Sequence, residues 1–278
     1  MFKKWFKSLA VVLGLSVLVA CGSGDDATTE GGVKKEIRFG ATTGEFYDMI
    51  KYSIAPILEE QGYKVKLIEF TDYVQPNLAL ANGDLDINVF QHLPYLQSFK
   101  KEHGLNIKEG FEVPTAPYGL YPGRLKSLDQ VKEGSKVAAP NDPSNFARVL
   151  VILDYLGWIE LREGTDPLTA SKRDITKNIL NIDIIELEAA NIPRVLDDVD
   201  FAAINGNYVL SAGMKLTDSI LNEPNFNYIN WSAIRVEDED SQWYQDVKAA
   251  YNSERFQEYI TAKFPGFQFP SAWGVTSK

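Results

Sequence analysis

Alternation and helical spacing take turns along most of this chain. Glu36-Ile37-Arg38-Phe39-Gly40 alternates as a strand, and Phe46, Met49, Ile50, Ile54, Ile57 and Leu58 then follow a helical period that stops at Gly62. Val65 and Leu67 mark a second strand, and Asp72 is placed to cap a short helix ending near Asn82-Gly83. Leu85 to Phe90 predicts a third strand, followed by a helix from Leu93 to His103 that Gly104 terminates. Strand and helix in strict alternation call for a parallel sheet with right-handed crossovers, hence an α/β fold.

The pattern breaks from Phe111 to Gly123, where Pro114, Pro117, Gly119, Pro122 and Gly123 crowd together. This predicts a crossing into a second lobe. A new α/β unit opens with Lys136-Val137-Ala138-Ala139, and the turn Pro140-Asn141-Asp142-Pro143-Ser144 ends in helix-capping residues. The helix that follows carries Phe146, Val149, Leu150, Leu153 and Leu156 on one face and stops at Gly157. Ile182 to Leu187 and Phe201 to Ile204 predict further strands, the latter ending in Asn205-Gly206-Asn207. Tyr228-Ile229-Asn230-Trp231 begins the return to the first lobe, on which a long amphipathic helix from Gln242 to Phe264 is expected to pack. The division expected is 33–118 with 230–278 as one lobe and 119–229 as the other.

The first thirty residues follow no such pattern. Lys3, Lys4 and Lys7 precede a 12-residue apolar run from Leu9 to Ala20, too short to span a bilayer and of the right length for a secretion signal. The run closes on Leu18-Val19-Ala20-Cys21, and Cys21 is the only cysteine. That ending resembles the lipobox of bacterial lipoproteins, which implies cleavage after residue 20, lipidation of Cys21 by a diacylglyceryl group, and a place on the extracytoplasmic face of the cell membrane. Residues 21–32 are polar and glycine-rich and are expected to act as a flexible tether. The net charge of −10 becomes three units more negative once Lys3, Lys4 and Lys7 leave with the signal. Such a surface argues against nucleic acid and against anionic lipid as partners.

Candidate chemistry concentrates in Asn88-Val89-Phe90-Gln91-His92-Leu93-Pro94-Tyr95, three rings where a strand gives way to a helix. In open α/β sheets ligands bind outside the carboxyl ends of strands, which makes this a candidate pocket wall as well as a candidate core edge. Arg148 is read as lying in the first turn of its helix, where the dipole disfavours a cation, so an anion is expected to meet it. Asp84-Leu85-Asp86-Ile87-Asn88 starts like a calcium loop but has Val89 at the glycine position and Tyr95 at the glutamate position. There is no Walker loop, nucleophile elbow or zinc-ligand spacing, and the two histidines are His92 and His103. No catalytic residue, metal or cofactor is expected.

Several segments together resemble the NlpA family of methionine-binding lipoproteins, the substrate-binding subunits of methionine ABC importers. They are Phe70-Thr71-Asp72-Tyr73-Val74-Gln75-Pro76-Asn77, Phe90-Gln91-His92-Leu93-Pro94-Tyr95, Ala139-Pro140-Asn141-Asp142-Pro143, Leu187-Glu188-Ala189-Ala190, Pro193-Arg194-Val195-Leu196-Asp197-Asp198 and Ile204-Asn205-Gly206-Asn207-Tyr208. The resemblance implies a two-lobed periplasmic-binding-protein fold of type II, hinged about a cleft, and an ABC permease with its ATPase as partners. It implies that Tyr73, Phe90, His92 and Tyr95 line a side-chain pocket, while Arg148, Asn205 and Asn230 meet an amino-acid head group. Phe146-Ala147 stand where the family usually has glycine, and Tyr118 where it tends to have methionine. Methionine, a close relative, a different small amino acid and a dipeptide therefore remain open as ligands. An adhesin or envelope scaffold of the same fold is the alternative from another functional class.

Overall fold

The computed structural model describes residues 29–30, 33–224 and 228–274; the signal, Cys21 and most of the tether lie outside them. Thr29–Glu30 pair antiparallel with Val33–Lys34, so backbone pairing begins inside the segment expected to be an unstructured tether. Among the described residues no helix is long and apolar enough to cross a membrane.

The first lobe opens with β1 (Glu36–Thr42), whose inward side chains Ile37, Phe39 and Ala41 are fully buried. Helix α1 follows as Glu45–Met49 and Ala55–Glu60, joined through a π-helical stretch Ile50–Ile54. Strand β2 (Lys64–Phe70), α2 (Gln75–Ala81), β3 (Ile87–His92), α3 (Leu93–His103) and β4 (Ile107–Val113) complete this part of the chain. Asp72 accepts hydrogen bonds from the backbone N–H groups of Val74 and Gln75 at 2.8 Å and so braces the turn into α2, but the N-cap position expected of it is held by Val74. Gly104 ends α3 in the left-handed region at φ 65°, which favours glycine.

The second lobe contains β5 (Gly119–Pro122), β6 (Lys136–Pro140), α4 (Pro143–Tyr155), β7 (Asp183–Leu187), β8 (Phe201–Ile204), α5 (Gly206–Ser211) and β9 (Leu221–Asn222). Strand β10 (Asn230–Arg235) then returns to the first sheet, and α6 (Gln242–Tyr251) and α7 (Glu254–Lys263) close the chain.

The two sheets repeat one design. The first has the order β2-β1-β3-β10-β4 and the second β7-β6-β8-β5-β9. In each, three strands run parallel, one antiparallel strand (β10 or β5) follows, and an edge strand (β4 or β9) pairs antiparallel to it. The parallel part is the α/β unit that the alternation predicts. The carboxyl ends of β1 and β3 in one lobe face those of β6 and β8 in the other, across a cleft crossed twice by the chain.

Three expectations are corrected. Phe111 to Gly123 is not one crossover: Phe111 lies in β4 and Gly119 to Pro122 form β5. The alternation of β4 is diluted by Gly110, where an added Cβ would sit 2.4 Å from Ser232 Oγ. The long C-terminal helix is two helices, because Ser253 stops one and caps the next, its Oγ accepting from the Phe256 N–H. Arg148 is the sixth residue of α4, beyond its first turn, so the helix dipole does not bear on it.

Candidate functional site

A cavity lies between the lobes, and all seven residues singled out from the sequence line it: Tyr73, Phe90, His92, Tyr95, Arg148, Asn205 and Asn230. Strand β3 is buried along its whole length, so its polar carboxyl end is forced into the cleft. Asn77, Asn88 and Gln91 hold that end rigid through a closed set of amide hydrogen bonds of 2.7 to 3.1 Å. Asn230 is the register partner of His92 on the neighbouring strand, which places both at the same height.

The first-lobe wall is largely aromatic. Tyr73 stacks on Phe90 with centroids 5.7 Å apart, and Tyr95 meets both rings edge-on at 5.8 to 5.9 Å. Tyr95 anchors the group by donating its hydroxyl proton to the Tyr73 carbonyl at 2.8 Å. His92 Nδ1 accepts the Tyr95 N–H, which leaves the ring proton on Nε2, 3.2 Å from Asn145 Oδ1 in the other lobe. Burial, helped by the nearby Arg148 charge, lowers the His92 pKa to about 3. The imidazole is therefore neutral across the physiological range.

The second-lobe wall is polar. Asp142 caps α4 and accepts from both the backbone and the side-chain amide of Asn145 at 2.9 Å. That fixes Asn145 with its Oδ1 turned to the cavity, where it collects three donors: His92 Nε2, Arg148 Nη1 at 3.2 Å and Asn205 Nδ2 at 2.9 Å. Sequence reasoning passed over Asn145, whose position inside a helix carries no signal of its own.

Arg148 does meet an anion, and it belongs to the protein. Its Nε donates to Glu223 Oε2 at 2.8 Å and its Nη2 to Glu223 Oε1, a two-pronged pair in which neither residue is more than 9% exposed. The guanidinium lies between the rings of Tyr118 and Tyr228, 4.1 and 4.4 Å from their centroids. Burial holds the Glu223 carboxyl above its usual range even beside Arg148. Only the Nη1 corner of Arg148 is left for the cavity. Tyr118 thus forms the floor under the arginine, whereas Phe146 packs into the second-lobe core and does not line the cavity.

Hydrogen bonds link the lobes around the cavity. Tyr73 Oη donates to Asn207 Oδ1 at 2.6 Å and Tyr208 Oη to the Thr71 carbonyl at 3.2 Å. Gly44, at φ 96°, passes so close to Asn207 that a Cβ there would sit 2.5 Å from its carbonyl oxygen. The next residue, Glu45, lines the cavity at 1% exposure and was also missed, because an acid at the start of a helix reads as a solvated one. Among the described residues there is no cluster of acids, histidines or cysteines fit to hold a metal.

The NlpA lipoprotein family model matches residues 37–272. The D-methionine-binding lipoprotein MetQ of Salmonella typhi is 34% identical over 267 residues, covering 95% of this chain and 96% of the relative. The protein of that name from Escherichia coli K12 is 33% identical over the same length. Among solved structures, a nutrient binding protein from Burkholderia cenocepacia bound to methionine superposes with a TM-score of 0.79 at 41% identity, covering 84% of this chain and 99% of that one. A structure of the methionine binding protein MetQ gives a TM-score of 0.78 at 33% identity, covering 82% and 94%. Matched from the first core strand to the last helices, this chain belongs to the NlpA lipoprotein family.

Proposed function

We propose that this chain is the substrate-binding lipoprotein of an ABC importer, holding methionine or a close relative between its lobes and handing it to the permease, which the partner ATPase drives. The observation that carries this reading is a cavity between the lobes with a largely aromatic wall from the first and a hydrogen-bonding wall from the second. It is joined by the kinship to proteins named for methionine binding and to a methionine-bound neighbour.

In this reading Tyr73, Phe90, Tyr95 and the neutral His92 surround the thioether, each sulfur–ring contact contributing about 0.3–1.5 kcal/mol. The ligand carboxylate approaches the Nη1 corner of Arg148, since Glu223 occupies the other edge. Asn205 Oδ1, buried and without a hydrogen-bond partner, accepts from the ligand ammonium, and Asn230 closes the head-group end. Arg148 and Asn205 both reach Asn145 Oδ1, a convergence that a scaffold or adhesin does not require. His92 has no nucleophile to serve, its Nε2 being committed to Asn145. Binding without catalysis is the role these groups support.

Residues 33–118 with 230–278 move against 119–229, and ligand contacts to both walls favour the closed arrangement. Lipidated Cys21 holds the protein to the outer face of the membrane. Two experiments test the reading. Cys21→Ser is expected to release the protein from membranes or block signal cleavage, against unchanged detergent partitioning. Mass spectrometry of small molecules carried through purification is expected to find methionine, and comparison of its enantiomers then sets the stereochemistry. Recovery of an unrelated ligand class, with methionine unable to displace it, would overturn the assignment.

A further inference from the structure

Among the described residues Glu45 is the acid that lines this cavity, and no cation pairs with it. Its side chain is 1% exposed, its Oε2 has no hydrogen-bond partner, and burial raises its pKa to about 8. Buried polar groups are ordinarily paired, so an orphaned carboxyl needs a physical reason. The chain can satisfy a buried acid: Asp86, at 0% exposure, has Lys34, Arg38 and Arg235 around it.

The donors of the cavity point elsewhere. His92 Nε2, Asn205 Nδ2 and Arg148 Nη1 all converge on Asn145 Oδ1. Of the buried cavity-lining atoms left without a partner, Glu45 Oε2 and Asn205 Oδ1 are the carboxyl and amide acceptors, and the third, the Tyr118 hydroxyl, can also donate. The close approach of Gly44 to Asn207 brings Glu45 to the lobe boundary, alongside the segment that carries Asn205. A group with several N–H bonds and a positive charge is the chemical complement of that pair of oxygens. The Arg148–Glu223 pair cancels its own charge, so nothing else in the second-lobe wall offers a cation an unshared anion.

We infer that Glu45 is a specificity-determining residue whose free carboxylate oxygen accepts the ammonium group of the bound amino acid, restricting the site to ligands with an unmodified cationic amine. The inference rests on the amino-acid reading of the cavity. It adds a charged partner for the amine, which that reading gave only to amides.

Proton linkage supplies a distinctive readout. Glu45 is protonated in the empty cavity at neutral pH and must ionise to pair with an ammonium, so binding expels a proton. Near pH 7 about 0.9 proton is expected to leave per ligand bound, and affinity is expected to rise about tenfold per pH unit from pH 6 to 7.5. The other titratable groups facing Glu45 are Asp48 one turn along α1 and the hydroxyls of Tyr73 and Tyr121. Burial raises both tyrosines far above this window, and His92 is neutral throughout it. Asp48 does not line the cavity, so Asp48→Asn is expected to leave proton release in place.

The test is calorimetry in buffers of different ionisation enthalpy, using wild type and Glu45→Gln with methionine and with its 2-hydroxy analogue, which lacks the amine. Wild type is expected to bind methionine with proton release and to prefer it to the analogue. Glu45→Gln should abolish the release and weaken methionine roughly 30-fold or more, while the analogue changes less than about threefold. Methionine bound by wild type without proton release, or bound equally by Glu45→Gln, overturns the role of Glu45 and leaves the amino-acid reading intact. Wild type that binds no amino acid removes that reading and the inference with it. Proton release needs no variant, so the test survives a Glu45→Gln protein that fails to fold.

Discussion

Asp86 and Glu45 are both buried acids of the first lobe, set at opposite ends of its parallel strands. Asp86, just before β3, receives Arg38 through its backbone N–H at 2.8 Å and its side chain at 2.7 and 3.2 Å, with Arg235 and Lys34 completing the cluster. Burial alone would raise its pKa, but the hydrogen bonds from Arg38 and Lys34 outweigh burial and hold it below the usual carboxylate range. Glu45, just after β1, has burial uncompensated and sits near pH 8. The same side-chain chemistry serves structure where its charge is matched and recognition where it is not. Glu223 stands between them: matched by Arg148, yet beside the cleft.

The comparison breaks most readily at Asp86. Asp86→Ala removes the anion that three cations share, and loss of one partner from a buried pair costs about 3–5 kcal/mol. Denaturant unfolding is expected to register that loss, with methionine affinity of the folded fraction unchanged. A loss below about 1 kcal/mol would mean that solvent already satisfies the three cations.

At Arg148 the effect divides between stability and binding. Arg148→Ala leaves Glu223 buried and unpaired, and is expected to weaken methionine roughly 30-fold or more, about 2–5 kcal/mol. Glu223→Gln frees the guanidinium edge, so a ligand carboxylate can take the place of the missing one. Thermal melting should therefore show that variant less stable alone and shifted further by methionine than wild type; equal shifts would mean the carboxylate never reaches the arginine.

Glu45→Gln sharpens the contrast through pH. The native state keeps its proton to about pH 8, while the unfolded chain loses it near the ordinary value of 4.5. Between those values unfolding releases a proton, so wild-type stability falls as pH rises. Glu45→Gln lacks that slope and is expected to be more stable than wild type at pH 8 by up to about 4 kcal/mol, the difference closing as pH falls toward 4.5. Parallel stability–pH curves for the two proteins would show Glu45 to be hydrated.

The smallest effect concerns selectivity. Phe90→Ala removes a ring that meets Tyr73 and Tyr95, and its direct cost to methionine relative to alanine is expected to be about 1.4 kcal/mol, or tenfold. Equal weakening of both ligands would make Phe90 a support of the lobe and not a reader of the side chain.

Much of the fold was legible because buried strands and amphipathic helices leave periods of two and 3.6 in the sequence. Leu93–His103 and Phe201–Ile204 fall where the pattern puts them. Strand β4 did not, since Gly110 makes room for Ser232 and Tyr244 at the expense of alternation. The seven pocket residues were identified through family resemblance, to which the strand-end places of Phe90, His92 and Asn205 added support. Asn145 and Glu223 were missed because partners that give them significance lie far away in sequence, and Glu45 because its burial is not visible in the sequence. Glu223 sits 75 positions from Arg148, in an Asn-Glu-Pro stretch that reads as a turn. A buried acid and a solvated acid look alike until the opposite wall of the cleft is in place.

Whether an amino acid is held between the lobes is tested most directly by calorimetric titration of unfolded-and-refolded, ligand-free protein with methionine. Saturable binding of one methionine per chain is predicted, lost or weakened roughly 30-fold in Arg148→Ala. No binding heat at any temperature, from protein whose circular dichroism matches the native state, would contradict it.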